Sequence, residues 1–217
     1  MTVFLGIDPT SSERKPSACA LLDKDGSLVK LASPRTDADI LELAARCRPD
    51  IVAIDAPLGL PTGLDCLQET CACASEHEFK GRVCERELLA RGISLYVTTK
   101  RSIIKKMVYR CMALVPPLEA MGARVIEVYP YASKVCLFGK PIPKKTKREG
   151  REFLRRRLGG LIPGLNAYDG RLDHDLYDAL VAAYTAYLHD RGETESLGRP
   201  QEVCIVVPRT PAGTARG

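Results

Sequence analysis

The stretch VFLGIDP, residues 3–9, sets the expectation for the fold. Its apolar run predicts a buried strand that ends at Asp8, because Pro9 has no amide hydrogen to continue the ladder of a central strand. The same pattern recurs in IVAIDAP, residues 51–57, where Asp55 follows another apolar run. If the two strands are parallel neighbours, both carboxylates emerge at the carboxyl edge of one sheet, where open α/β sheets bind ligands. Neighbouring carboxylates repel each other, and a divalent metal is the usual ion between them.

Between these two stretches the sequence predicts an antiparallel meander and a crossover helix. The runs SACALLD and SLVKLAS have strand character and flank the turn DKDG, whereas DADILELAARC has helical spacing. Such a helix would return the fourth strand parallel to the first. The runs ARVIEVYP and EVCIVVP predict further strands. We therefore expect an α/β fold: a mixed sheet, with a three-strand antiparallel meander and parallel strands, flanked by helices.

The length of 217 residues suits one main domain with an elaboration. We expect a single domain over residues 1–208, and within it a mostly helical, cysteine-containing insertion over 62–122. The last residues, RTPAGTARG at 209–217, predict a disordered tail.

Composition limits the class of protein. A hydrophobic content of 45% and a charged content of 27% are typical of soluble globular proteins. No apolar run reaches the roughly 18 residues that a membrane span requires. The opening MTVFLGIDPT lacks the features of a signal peptide, so we expect a cytoplasmic protein with no membrane segment. Nine cysteines without an export signal favour reduced thiols over a disulfide framework.

A third group of acids opens the run DHDLYDALVAAYTAYLHD, residues 173–190, which has helical spacing. Asp173 suits the N-cap of this helix, and acids in its first turn favour the positive end of the helix dipole. Capping explains Asp175 acceptably and Asp178 poorly, because the face of Asp178 continues as alanines typical of close packing. Asp178 is thus the candidate to complete a site with Asp8, and Asp175 stays between the two interpretations.

Glu127 in VIEVYP is a further candidate, because it interrupts an apolar strand. Strand alternation points Val125, Glu127 and Tyr129 one way and the intervening residues the other way. An ordinary exposed strand residue and a member of the acidic site are both consistent with this position.

Basic residues are concentrated in KPIPKKTKREGREFLRRR, residues 140–157, which holds nine Lys or Arg against two Glu. A second group lies in the insertion, from residue 100 to residue 110. Such groups either form solvated surfaces or contact backbone phosphates without reading bases. The candidate nucleic-acid-binding residues are Lys100, Arg101, Lys144, Lys145, Lys147, Arg148, Arg151 and Arg155.

Four cysteines cluster in the insertion: Cys66, Cys71, Cys73 and Cys84. Four thiolates match the ligand count of a structural zinc site or of an iron–sulfur cluster. The spacing C-x4-C-x-C-x10-C lacks a paired C-x2-C, so reduced thiols without metal are an equal alternative.

Acids at the ends of the first and fourth strands and on a late helix, behind a three-strand meander, resemble the RNase H-like superfamily. GIDP and DHDLYDALVAAYTA look like the corresponding motifs of its Holliday-junction resolvases. More closely, seven motifs in order are similar to the family named domain of unknown function 429, whose members are labelled predicted nucleases of RNase H fold. They run from about residue 3 to residue 208 and are GID, AIDAPLGLP, RVCERELLARGI, VIEVYPYAS, KKTKREGREFLRRRL, HDLYDALVAAYTA and IVVP.

The resemblance implies that Asp8, Asp55 and one or both of Asp175 and Asp178 occupy metal-ligand positions, with two Mg²⁺ or Mn²⁺ ions as cofactors. Glu127 matches a family motif without an assigned role. The function to expect is metal-assisted hydrolysis of phosphodiester bonds in DNA or RNA. Two alternatives stay open: a nucleic-acid-binding protein without catalysis, and a hydrolase of a small phosphorylated molecule.

Overall fold

A computed structural model describes residues 2–168 and 172–210 of the chain. Within these ranges one mixed sheet has seven strands: β1 (Val3–Asp8), β2 (Ala18–Asp23), β3 (Leu28–Ala32), β4 (Ile51–Ile54), β5 (Arg124–Val128), β6 (Thr194–Leu197) and β7 (Ile205–Pro208). The α-helices are α1 (Asp37–Cys47), α2 (Val83–Ala90), α3 (Lys105–Ala120), α4 (Pro130–Phe138), α5 (Arg148–Gly159) and α6 (His174–Asp190).

The strand order is β3-β2-β1-β4-β5-β7-β6. Strands β1, β2 and β3 form the antiparallel meander, and β1, β4, β5 and β7 run parallel. This confirms the predicted mixed sheet. Strand β6, which pairs antiparallel with β7, was not predicted, because its sequence TESL carries almost no apolar signal.

Helix α6 covers one face of the sheet and lies directly on β1. Gly6 makes this approach possible: a Cβ there would lie 2.1 Å from the carbonyl oxygen of Ala179 and 2.3 Å from the amide nitrogen of Ala183. Positions 179 and 183 of α6 therefore carry alanine because the backbone of β1 lies directly against them. Helices α1 and α3 pack on the opposite face, against Leu5, Ile7 and the alternate residues of β4.

Side-chain hydrogen bonds cap the N-termini of two helices. At α1 the side chains of Thr36 and Asp39 form a reciprocal capping box. At α6 the Asp173 carboxylate accepts hydrogen bonds from the amides of Asp175 and Leu176, as the sequence predicted. None of the helices in the described ranges is long and apolar enough to cross a membrane.

The prediction that the insertion over 62–122 is mostly helical is wrong, because most of its residues lie outside helices. Its helical residues are the eight of α2 and the sixteen of α3, and the segment before α2 is irregular. That segment is instead held by side chains, because Glu202 accepts hydrogen bonds from the backbone amides of Thr62 and Val83. Of the predicted tail, residues 211–217 lie outside the described residues, while the amide of Arg209 still bonds the carbonyl of Glu193.

Candidate metal centre

Three carboxylates from three elements meet at the carboxyl edge of the parallel strands. Ile7 and Ile54 are register partners, and the amide of Asp55 donates to the carbonyl of Ile7 at 2.9 Å, so Asp8 and Asp55 leave adjacent strands together. Asp178 reaches them from α6. One carboxylate oxygen from each of the three residues lies within 4.8 Å of the others. The structure therefore brings together the three acids for which the sequence predicted a shared metal site.

Burial and mutual repulsion perturb two of these carboxyls. Burial, followed by the charges of Asp55 and Asp178, raises the pKa of Asp8 to about 9. Burial, followed by the charge of Asp178, raises the pKa of Asp55 to about 8. Both shifts mean that ionising these groups costs free energy unless a cation joins them.

Two lysines already contribute positive charge. The ammonium of Lys134, which is buried, lies 2.8 Å from Oδ1 of Asp178. The ammonium of Lys145 contacts Oδ2 of Asp178 and lies 3.6 Å from Asp175 and 4.0 Å from Asp8. The sequence suggested that Lys145 binds nucleic acid, whereas the structure places it among the carboxylates. Lys134 was missed, because helix α4 was not predicted and a lone lysine in it carries no signal.

Asp8 keeps one buried carboxylate oxygen without a hydrogen bond. Oδ2 of Asp8 is buried and has no hydrogen bond, although its carboxyl group faces the acids described above. A buried oxygen without a hydrogen-bond donor loses its hydration, and the ammonium of Lys145, 4.0 Å from Oδ2, offsets only part of this loss. Carboxylate oxygens are the ligands that hard cations such as Mg²⁺ and Mn²⁺ prefer. The three acids therefore fit a divalent metal.

The start of α6 forms the rim of the centre. Asp175 is partly exposed, and its Oδ1 lies 2.7 Å from Nδ1 of His174 and 3.6 Å from Nζ of Lys145. Asp173, His174 and Asp175 form a second group whose candidate ligand atoms lie within 4.8 Å of one another. Asp173 is occupied as the helix cap. Asp175 therefore borders the site without belonging to its buried core.

Glu127 lies on the other face of the sheet. Glu127 is the register partner of Ile54, so both side chains lie on the same face of the sheet, where Ile54 packs with α1 and α3. Asp55, the residue after Ile54, faces α6 instead. Both oxygens of Glu127 accept hydrogen bonds from the guanidinium of Arg82, at 2.5 and 2.7 Å, and one also accepts from the amide of Leu58 at 2.8 Å. Burial raises the pKa of Glu127, and Arg82 opposes the shift. The structure does not bring Glu127 into the group of Asp8.

Arg82 organises a buried ionic network that the sequence did not reveal. Besides Glu127 it contacts Glu85 at 3.1 Å and the carbonyl of Glu202 at 3.2 Å, and Glu85 also accepts the hydroxyl hydrogen of Thr98. The charged side chains of Arg82, Glu85 and Glu127 are all buried. The network fixes the segment between β4 and α2 to Glu127 on β5.

A narrow cavity of about 90 Å³ lies between this network and Asp55. Its walls include Tyr96, Ile104, Met107 and Tyr129. Tyr96 is largely exposed, and the hydroxyl of Tyr129 donates to the carbonyl of Ser94 at 2.8 Å. The metal centre thus borders an apolar cleft on one side.

The basic candidates divide into two groups. Lys144, Lys147 and Arg148 are exposed and lie near Lys145 in the sequence, and the guanidinium of Arg148 donates to Glu152 at 2.7 Å. In contrast, the ammonium of Lys100 is turned inwards and donates to the carbonyls of Cys71 and Cys73.

Three other basic side chains were proposed for nucleic acid. Arg151 donates to the carbonyl of Thr146 and Arg155 to that of Tyr168. Arg101 is exposed beside Glu69.

The cysteine prediction is partly matched by the geometry. Cys66, Cys71 and Cys73 have sulfur atoms within 4.8 Å of one another. Cys84, on α2, is buried in a separate apolar cluster with Leu88. The hydrogen bond from the Cys71 thiol is the main cause that lowers the pKa of Cys73, to about 7.

The sheet order, the position of α6 and the carboxylates at the sheet edge define the chain as a protein of RNase H-like fold. The chain belongs to the family described as "Protein of unknown function (DUF429)", whose model matches residues 6–203. No curated protein matches the chain.

Among solved structures, the chain is similar to the RuvC structure of Thermus thermophilus. The TM-score is 0.51 at 16% identity, and the match covers 88% of this chain and 97% of the RuvC chain. At this identity the likeness shows a common fold.

Proposed function

We propose that the chain is a divalent-metal-dependent nuclease that hydrolyses phosphodiester bonds of DNA or RNA. The observation that carries the proposal is the convergence of Asp8, Asp55 and Asp178 around the unpartnered Oδ2 of Asp8. The acids come from β1, the end of β4 and α6, so their proximity results from the whole fold. The fold shared with the RuvC structure supports the same class of reaction.

Asp8, Asp55 and Asp178 would hold Mg²⁺ or Mn²⁺. When bound, such an ion lowers the pKa of a water and offsets charge on phosphate oxygens. The protein residues have separate tasks. Lys134 fixes the orientation of Asp178 through its buried 2.8 Å contact. Lys145, which is partly exposed, supplies a positive charge among the three carboxylates of Asp8, Asp175 and Asp178.

Charge balance indicates how many ions the arrangement accepts. The carboxylates of Asp8, Asp55, Asp175 and Asp178, when ionised, carry four negative charges, and the ammonium groups of two lysines neutralise two of them. The remainder matches one divalent cation. If Lys145 left the carboxylates, three negative charges would remain beside Lys134, and the Lys145 ammonium would be free to contact a substrate phosphate.

The surroundings of the centre favour a polynucleotide as substrate. Exposed lysines at positions 144 and 147 lie on either side of Lys145 in the chain, and they can contact phosphates that flank the bond to be cleaved. Binding through such contacts weakens steeply with added salt.

The test compares the wild type with Asp8→Asn, on branched, single-stranded and hybrid substrates, in Mg²⁺, Mn²⁺ or a chelator. Asp190→Asn is the matched control, because it makes the same change at an exposed position of α6. We expect metal-dependent cleavage by the wild type and the control. Loss of an electrostatic group at the reacting centre costs on the order of 100-fold or more, and we expect this loss for Asp8→Asn.

The same assays separate the alternatives. A protein that only binds nucleic acid would show substrate affinity that Asp8→Asn leaves intact, with no cleavage by the wild type. A hydrolase of small molecules would act on nucleotides or on p-nitrophenyl phosphate and leave every polynucleotide whole. Either result would overturn the nuclease proposal.

A further inference from the structure

Three thiols meet in the irregular segment between β4 and α2. The sulfur atoms of Cys66, Cys71 and Cys73 lie within 4.8 Å of one another, and those of Cys71 and Cys73 are 3.3 Å apart. All three are free thiols of intermediate exposure. They are therefore close enough to share one ion and accessible enough to receive it from solution.

The distances distinguish between the two kinds of metal centre that cysteines favour. Zinc–sulfur bonds of about 2.3 Å in a tetrahedron place the sulfurs about 3.8 Å apart. The observed group fits that spacing around a single ion. An iron–sulfur cluster distributes four cysteines over several irons, whereas Cys84 is buried elsewhere, with its Cβ 2.6 Å from the position that a Cβ on Gly198 would take.

The segment that carries these thiols has little apolar core of its own. It contains no helix or strand from residue 59 to residue 82. Leu67 is its one fully buried large apolar side chain, and the Leu67 amide donates to the hydroxyl of Tyr109 at 2.5 Å. A metal ion that crosslinks such a segment supplies the stability that burial does not.

Lys100 supplies the complementary charge. Its ammonium donates to the carbonyl of Cys71 at 2.6 Å and to the carbonyl of Cys73, so a positive charge lies at the backbone of two of the three cysteines. Three thiolates with one Zn²⁺ carry one net negative charge. The ammonium of Lys100 neutralises it.

We propose that Cys66, Cys71 and Cys73 form a three-thiolate zinc site, with the fourth coordination position open to solvent or to an external thiol. The site crosslinks the segment that leads from Asp55 to the Arg82 network. It is separate from the carboxylate centre, which offers oxygen ligands for harder cations.

The experiment is metal analysis of the purified full-length protein, with Cys71→Ser, Cys84→Ala, Asp8→Asn and the control Cys136→Ser. We expect one equivalent of zinc in the wild type and retention in every variant except Cys71→Ser. Co²⁺ should replace zinc and give the intense near-ultraviolet thiolate band in every protein that retained it. A chelator should lower the melting temperature of the wild type and leave Cys71→Ser unaffected.

Four outcomes would overturn the proposal. One is equal zinc in the wild type and Cys71→Ser. Another is loss of zinc in Cys84→Ala while circular dichroism shows a folded protein, since this makes Cys84 a ligand. The third is a disulfide among the three cysteines in protein prepared under reducing conditions. Loss of zinc in Asp8→Asn alone would assign the zinc to the carboxylate centre and also contradict the proposal.

Discussion

The ammonium of Lys134 lies 2.8 Å from Oδ1 of Asp178, and both side chains are buried. One comes from α4 and the other from α6, so this pair fixes two helices to each other at the metal centre. Lys134 therefore positions Asp178, one of the three proposed metal ligands. The sequence identified Asp178 only from the helix face on which it lies.

Removing Lys134 should destabilise the protein strongly. Lys134→Met leaves a buried carboxylate with Lys145 alone, and breaking a buried ion pair costs about 3–5 kcal/mol. We expect the lower end of that range, measured by urea unfolding. Lys140→Met, at an exposed position, should change the unfolding free energy by well under about 1 kcal/mol. Equal effects of the two changes would contradict the pairing.

The stability of the metal-free protein should decrease as the pH rises above about 5. In the folded state the pKa values of Asp8 and Asp55 are about 9 and about 8, against 3.8 for an ordinary Asp. Between these values the folded state binds more protons than the unfolded state, so unfolding releases protons and becomes more favourable with rising pH.

Urea unfolding in a chelator, at several pH values from about 5 to about 8, measures this slope. Asp8→Asn should flatten it, because one of the two raised carboxyls is gone. Saturating Mn²⁺ should flatten it in the wild type, since the ion displaces the protons. A slope that neither change alters would show that the two carboxyls are ordinary.

Replacing Lys145 should tighten metal binding and slow cleavage. A unit charge about 4 Å away opposes a cation by a few kcal/mol at an effective dielectric of about 20, so Lys145→Gln should bind Mn²⁺ at least about tenfold more tightly. Calorimetric titration measures the affinity, and cleavage at saturating Mn²⁺ measures the lost phosphate contact. Lys147→Gln, an exposed neighbour, should leave the Mn²⁺ affinity unchanged. Unchanged affinity in Lys145→Gln would remove Lys145 from the site.

The Arg82 network should matter for stability and not for metal binding. Arg82→Met leaves Glu127 and Glu85 buried without their partner, so we expect a loss of about 3–5 kcal/mol. The control Arg91→Met breaks a half-exposed pair with Glu195 and should cost at most about 1 kcal/mol.

Glu127→Gln separates the two roles that the sequence left open. It should lower the unfolding free energy and leave the Mn²⁺ affinity within about twofold, since its carboxylate lies on the face of the sheet away from Asp8. A large loss of Mn²⁺ affinity in a folded variant would return Glu127 to the metal centre.

Gly6→Ala should disrupt the contact between β1 and α6. The added Cβ would lie 2.1 Å from a backbone oxygen of Ala179, which cannot move without the helix, and overpacking of this kind costs about 1–3 kcal/mol or more. Because the helix carries Asp178, the Mn²⁺ affinity should fall with the stability. Gly160→Ala, whose new Cβ has no neighbour nearer than 3.6 Å, is the control. Loss of stability alone would show that the site tolerates a shifted α6.

Six of the seven strands and the three aspartates Asp8, Asp55 and Asp178 could be predicted because their signals are local. An apolar run that ends in an acid marks the edge of a sheet, and small residues beside Asp178 mark a packed helix face. Lys134 and Arg82 could not be predicted, because their partners lie far along the chain and their own neighbours in sequence are unremarkable. Glu127 shows the same limit: alternation gave its face correctly, but only tertiary structure supplies Arg82 as its partner.

The close packing of α6 on β1 also bears on when the group of three carboxylates can form. Asp8 and Asp55 precede Lys145 in the chain, and Asp178 follows it. During synthesis, the three carboxylates therefore cannot meet until α6, the last α-helix of the described ranges, has been made. Assembly of this group thus depends on nearly the whole length of the described chain.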